Sequence, residues 1–147
     1  MENANHRATA PSITSILKNI SDDKTLVLFS SIAVSADNER LIPLREMNLS
    51  TKQYYSRISG LVNAGLIKRN KGKYFLTLLG RVVYDSHMAI GKALAYYWKL
   101  KAIESLDMSS SGLPNEEKTQ LINALIDNHQ IKDILLKSTL IPLLKAT

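Results

Sequence analysis

The 147-residue sequence predicts an α+β protein that is mainly helical, with one small β-hairpin, a long helix after it and additional helices at the C-terminal end. Three observations carry this expectation. Apolar residues recur three and four apart over most of the chain, which is the period of an amphipathic helix. Leu66-Ile67-Lys68-Arg69 and Lys73-Tyr74-Phe75-Leu76 have the composition of a strand pair, and Asn70-Lys71-Gly72 between them is turn chemistry. Residues that cap helices stand immediately before several of the helical runs.

Taken in order, the first ten residues are polar and aperiodic, as fraying termini are. From Pro11 to Ile20, Ile13, Ile16, Leu17 and Ile20 follow the i, i+3, i+4, i+7 pattern of a short helix. Ser21 before Asp22 and Asp23 predicts an N-cap with two acids in the first turn, where the helix dipole favours negative charge. That helix runs from Asp22 to about Ala36, with Leu26, Phe29 and Ala33, flanked by Leu28 and Ile32, as its buried stripe. Asp37-Asn38-Glu39 breaks the pattern, and Arg40 to Ile42 reads as a short strand. Pro43 suits the first position of a short helix over Leu44 to Asn48, which presents Leu44 and Met47 to the core.

Ser50 and Gln53 form the spacing of a capping box, so the next helix starts at Thr51. Around this helix, Tyr54, Ile58, Leu61 and Gly65 share one arc, and Lys52, Ser56, Ser59, Gly60 and Asn63 lie opposite. One face belongs to a core; the other is small, polar and basic. Gly65 is placed to end the helix in the left-handed conformation. Beyond the hairpin, Thr77 caps a helix whose apolar residues Leu79, Val82, Val83, Ile90, Leu94 and Tyr97 keep helical spacing toward Leu106, weakened at Gly80 and Gly91. Asp107 to Asn115 is a linker rich in Ser, with Gly112 and Pro114. Glu116 to Asn128 carries Leu121, Ile122, Leu125 and Ile126 as a further amphipathic helix, and Ile131 to Leu144 is a last helical segment, interrupted near Pro142.

Composition narrows the function classes. The chain has 45% apolar residues, enough for an ordinary core, and no cysteine, so disulfides, thiolate metal sites and cysteine nucleophiles are excluded. No run of apolar residues reaches membrane-spanning length, and the N-terminal segment lacks the apolar stretch of a signal peptide, so a soluble cytoplasmic protein is expected. His6, His87 and His129 stand far apart, and no cluster has metal-ligand spacing. Neither a Gly-rich phosphate loop nor a Ser, His and acid arrangement occurs, so no enzyme, cofactor or metal is expected.

The net charge is +6, and its placement is informative. Arg45, Lys52, Arg57, Lys68, Arg69, Lys71 and Lys73 stand between positions 45 and 73 with Glu46 as the sole acid. The rest of the chain carries basic and acidic residues in equal number. An excess confined to one short segment points to a surface that binds a polyanion.

Residues 44–58, Leu-Arg-Glu-Met-Asn-Leu-Ser-Thr-Lys-Gln-Tyr-Tyr-Ser-Arg-Ile, resemble the helix-turn-helix of archaeal-type winged-helix transcription regulators and of MarR-like and ArsR-like DNA-binding domains. Leu61-Val62-Asn63-Ala64-Gly65-Leu66-Ile67-Lys68-Arg69 is similar to their helix end and first wing strand, and Tyr74-Phe75-Leu76-Thr77-Leu78-Leu79-Gly80 to their second wing strand entering the next helix. The resemblance covers roughly Asp22 to Ser86. It implies a winged helix-turn-helix that binds double-stranded DNA through a recognition helix over 51–64 in the major groove, with a wing over 66–76 on phosphate or in the minor groove. The residues assigned to DNA are Arg45, Ser50, Thr51, Lys52, Gln53, Tyr55, Ser56, Arg57, Lys68, Arg69, Lys71 and Lys73. Among them Lys52, Gln53 and Ser56 suit base edges, since Gln pairs with adenine and Lys donates to guanine. Tyr55 and Arg57 lie on the flanks and suit phosphate. Gly60 would allow close backbone approach, and the hairpin cations would give salt-sensitive affinity.

The expected organisation is a tail and short helix over 1–20, a DNA-binding domain over 21–86 and a helical region over 87–147. In that last region Ile90, Leu94, Tyr97 and Trp98 are the expected homodimer contact, because a large aromatic cluster anchors interfaces and two-fold dimers match palindromic half-sites. The alternative from another class is a winged-helix module that binds proteins within a transcription or replication assembly.

Overall fold

The structure is a computed structural model that describes residues 9–38, 46–108 and 112–144. Among these residues the fold is α+β, with seven helices and one two-stranded antiparallel hairpin. The order is α1 (Ile13–Ile20), α2 (Asp23–Asn38), α3 (Thr51–Asn63), β1 (Ile67–Asn70), β2 (Lys73–Leu76), α4 (Leu78–Ala95), α5 (Tyr97–Asp107), α6 (Asn115–Leu125) and α7 (His129–Leu144). The expected strand over 40–42, Pro43 and Leu44 lie outside the described residues, as does Arg45. The chain divides into two compact units, with the boundary between Asp85 and Ser86.

The first unit is organised by the apolar faces of α2 and α3. Leu28, Phe29 and Ile32 from α2 meet Ile58 and Leu61 from α3, with Met47, Ala64, Leu66 and Ile67 completing the buried cluster. Ile16 and Ile20 of α1 pack on the same core, as do Tyr54, Tyr74, Leu76 and Tyr84. Phe29 and Tyr84 meet edge to face, their ring centroids 6.1 Å apart. The expected stripe of α2 is therefore correct at Leu28, Phe29, Ile32 and Ala33, while Leu26 is only half-buried.

The cap of α2 is one residue later than expected. Ser21 ends α1, its hydroxyl donating to the Lys18 carbonyl, whereas the Asp22 carboxylate accepts from both the backbone N–H and the hydroxyl of Thr25, at 2.9 and 2.7 Å. Of two adjacent capping residues the carboxylate prevails, because a charged acceptor makes the stronger bonds. Glu46 to Asn48 form a turn in place of the end of a short helix, and Asn48 takes a positive φ of 51° there. The capping box of α3 is present as expected: Ser50 Oγ accepts from Gln53 N–H, and Gln53 Oε1 accepts from Ser50 N–H.

The end of α3 sets the course of the hairpin. Gly65 adopts φ +74°, its N–H donates to the Val62 carbonyl, and the Leu66 N–H donates to the Leu61 carbonyl at 3.0 Å. This six-to-one bond is a Schellman motif, which reverses the chain directly into β1. β1 pairs with β2 from Ile67 opposite Leu76 to Asn70 opposite Lys73. Only Lys71 and Gly72 form the turn, both at positive φ, so Asn70 belongs to the ladder and not to the turn. Thr77 then caps α4, its hydroxyl accepting from Gly80 N–H at 2.9 Å, while its own N–H donates to the Leu66 carbonyl at 3.0 Å.

The expected continuous helix after the hairpin is divided. α4 ends at Ala95, Tyr96 sits at φ −93° and ψ 8°, and α5 begins at Tyr97. Neither Gly80 nor Gly91 causes the break, since both lie inside α4. In the second unit Ile103, Ile122, Ile126 and Ile131 are buried together, with Tyr96, Leu100 and Leu135 packed against them. α6 stops at Leu125, three residues before the expected end, because Asn128 serves α7 instead: its side chain accepts from Ile131 N–H at 3.1 Å. α7 runs through Pro142 without the expected interruption.

Gly80 and Gly91 make a paired test of this packing. A Cβ on Gly80 would overlap the carbonyl of Leu66, so Gly80→Ala is expected to destabilise the protein by about 2 kcal/mol or more in urea denaturation. A Cβ on Gly91 meets nothing within 4 Å, so Gly91→Ala is expected to stabilise it by about 0.5–1 kcal/mol through helix propensity.

Candidate nucleic-acid interface

The described basic residues of the segment lie on two adjoining elements. α3 starts at its capping box, turns Tyr54, Ile58 and Leu61 inward, and leaves Lys52, Ser56, Ser59 and Asn63 exposed along the opposite face. The reversal at Gly65 and Leu66 leads directly from α3 into the hairpin, where Lys68, Arg69, Lys71 and Lys73 are all exposed. Arg69 lies over the Tyr74 ring, 6.0 Å from its centroid, as the register opposite Tyr74 requires.

Inside this surface the side chains are not equally free. Gln53 is exposed, yet its Oε1 is bonded to Ser50 N–H at 3.0 Å, so the atom that would accept from adenine is held by the helix cap. Arg57 is half-buried; its Nε donates to Asp22 Oδ2 at 3.0 Å and its Nη1 to the Gln53 carbonyl at 3.4 Å. Gly60 does not offer an open backbone, because Asn19 of α1 covers it and an added Cβ would lie 2.5 Å from Asn19 Oδ1. One flank of α3 is thus engaged by α1 and the start of α2. Lys52, Tyr55 and Ser56 remain exposed on the first two turns, with Tyr55 edge to face against Tyr54 at 5.3 Å. Ser50 and Thr51 are exposed at the helix start, Ser50 as the cap.

Two residues near this surface gave no local signal. Asp22, 35 positions before Arg57, neutralises it; Lys24 of α2 donates from Nζ to the Asn48 carbonyl at 3.1 Å, bracing the turn before α3. The two Thr25 bonds and the Arg57 guanidinium lower the Asp22 pKa to about 2. Burial raises the pKa of the Tyr54 hydroxyl, which keeps it neutral against the core.

In the second unit, Ile90, Leu94, Tyr97 and Trp98 lie outside the core, at 60%, 67%, 48% and 79% exposure. Tyr97 and Trp98 meet edge to face at 5.0 Å, while Tyr96 turns inward under the Lys99 ammonium. Among the described residues no group of three or more His, Asp or Glu side chains is placed to hold a metal, and no helix is long and apolar enough to cross a membrane. Searches of the chain against protein-family models, curated proteins and solved structures find no match.

Asp22 gives a pH test of the α3 anchor. Its folded pKa is depressed, so the stability it contributes is present above pH 4 and is lost as pH falls toward 2. Asp22→Asn is expected to flatten the acid limb of the melting temperature between pH 4 and 2, with little change near pH 7 in the shape of that curve.

Proposed function

We propose that the chain is a winged-helix regulator that binds double-stranded DNA in a sequence-dependent way and acts by binding rather than by catalysis. In this reading α3 enters the major groove and the β1–β2 hairpin is the wing, resting on phosphate or in the minor groove. The observation that carries it is the position of the charge. The chain's whole excess of +6 falls between Arg45 and Lys73, and the described cations of that segment, Arg57 excepted, are exposed on one helix and the hairpin after it. A duplex rewards this arrangement, because each lysine or arginine on a phosphate releases condensed counterions.

Within the reading, roles divide according to what is free. Lys52 and Ser56 face outward on the early turns and suit base edges, Tyr55 suits the adjacent backbone, and the hairpin cations supply affinity that is blind to sequence. Gln53 must surrender the capping bond to Ser50 before its amide pairs with adenine, and Arg57 must leave Asp22 before it reaches a phosphate. Lys52 is therefore the principal candidate for sequence preference. The exposed Ile90, Leu94, Tyr97 and Trp98 suit a contact between two copies, which would match the symmetry of a palindromic site.

Two measurements test the proposal. Affinity for random-sequence duplex should fall steeply with salt, and replacing Lys68, Arg69, Lys71 and Lys73 together with Ala should reduce the slope of log affinity against log salt by about 4. A wild-type protein without a salt slope contradicts DNA binding. Light scattering at micromolar concentration should report twice the 16.4 kDa chain mass, and a single-chain mass removes the dimer.

A further inference from the structure

Phe75 occupies the side of the hairpin that the core does not use. In the register of β1 and β2, Ile67 faces Leu76 and Arg69 faces Tyr74; Ile67, Tyr74 and Leu76 all belong to the core of the first unit. Successive side chains of a strand alternate between faces, so the opposite face carries the pairs Lys68 with Phe75 and Asn70 with Lys73. Phe75 is half-buried and belongs to neither packed cluster. Its neighbours on that face, Lys68, Asn70 and Lys73, are exposed, and none of the ion pairs among the described residues involves either lysine.

The outer face of a hairpin ordinarily carries polar residues, and an aromatic ring there, with one lysine opposite it in the register and another two positions before it, is a specific combination. It matches the chemistry by which proteins hold unpaired nucleobases: the base stacks on the ring, and flanking cations take the phosphates on either side. Bases inside an intact duplex are closed within the stack, so the ring gains its partner only where a base is free.

We propose that Phe75 is a stacking platform for an unpaired nucleobase, flanked by phosphate contacts from Lys68 and Lys73. The proposal rests on the DNA-binding reading and deepens it by naming a ligand class, duplex DNA that carries locally unpaired bases. Arg69 takes no part, since it lies on the other face over Tyr74.

The test compares two labelled duplexes of the same length and sequence by fluorescence anisotropy, one intact and one with three unpaired thymines inserted in one strand. The wild-type chain should bind the interrupted duplex about tenfold more tightly. Phe75→Ala and Phe75→Leu should bring the two affinities together while leaving the intact duplex within about twofold of wild type. Leu keeps apolar bulk and removes only the ring face, so it remains a valid variant, checked by its melting curve, if Ala does not fold. Lys68→Ala should weaken both duplexes. Equal wild-type affinities, or a preference that survives in Phe75→Leu, overturn the platform and leave duplex binding standing. Failure to bind either duplex overturns the DNA reading and the platform with it.

Discussion

The backbone of Leu66 is the point on which the first unit depends. Its N–H closes the end of α3 on the Leu61 carbonyl, and its carbonyl accepts from Thr77 N–H at the start of α4. Its side chain is fully buried among residues of α2, α3 and the hairpin. A buried carbonyl left without a donor costs about 1–3 kcal/mol, so this bond holds both strands of the hairpin at a fixed place after α3. Two glycines make the node possible. Gly65 supplies the left-handed turn, and Gly80 lets α4 approach the Leu66 carbonyl where any side chain would collide.

The consequence is a surface whose parts are spaced by backbone geometry and not by flexible loops. The exposed face of α3 and the basic hairpin succeed one another with only Ala64, Gly65 and Leu66 between them. Asp22 and Asn19 engage one flank of α3, which leaves Lys52, Tyr55 and Ser56 as its exposed early face. Charge that is merely solvated would not need this degree of placement. The proposed function rests on the confinement of the described exposed cations of this segment to α3 and the hairpin that follows it.

Much of the fold was legible because its determinants are local. The Ser50–Gln53 box, Gly65, the strand pair and the Thr77 cap each lie within a few residues of what they determine, and each appears where the sequence places it, β1 running one residue later than expected. The differences arise where distant residues decide. Ser21 and Asp22 are adjacent candidate caps, and the carboxylate that prevails over the hydroxyl also receives Arg57 from 35 residues away. The break at Tyr96 has no glycine or proline to announce it; Tyr96 packs into the second unit's core, with the Lys99 ammonium over its ring. In the candidate site, composition identified the exposed lysines but not the commitments of Gln53, Arg57 and Gly60, which depend on a cap geometry, a carboxylate 35 residues away and the placement of α1.

The most direct test of the central claim is a two-dimensional NMR titration of the full-length, isotope-labelled chain with duplex DNA, which reports every backbone amide at once. Shifts are expected to concentrate at Ser50 to Arg57 and Lys68 to Lys73, with amides around Ile122 to Leu135 little changed. Shifts concentrated in the second unit, or none at duplex concentrations well above micromolar, would contradict that claim.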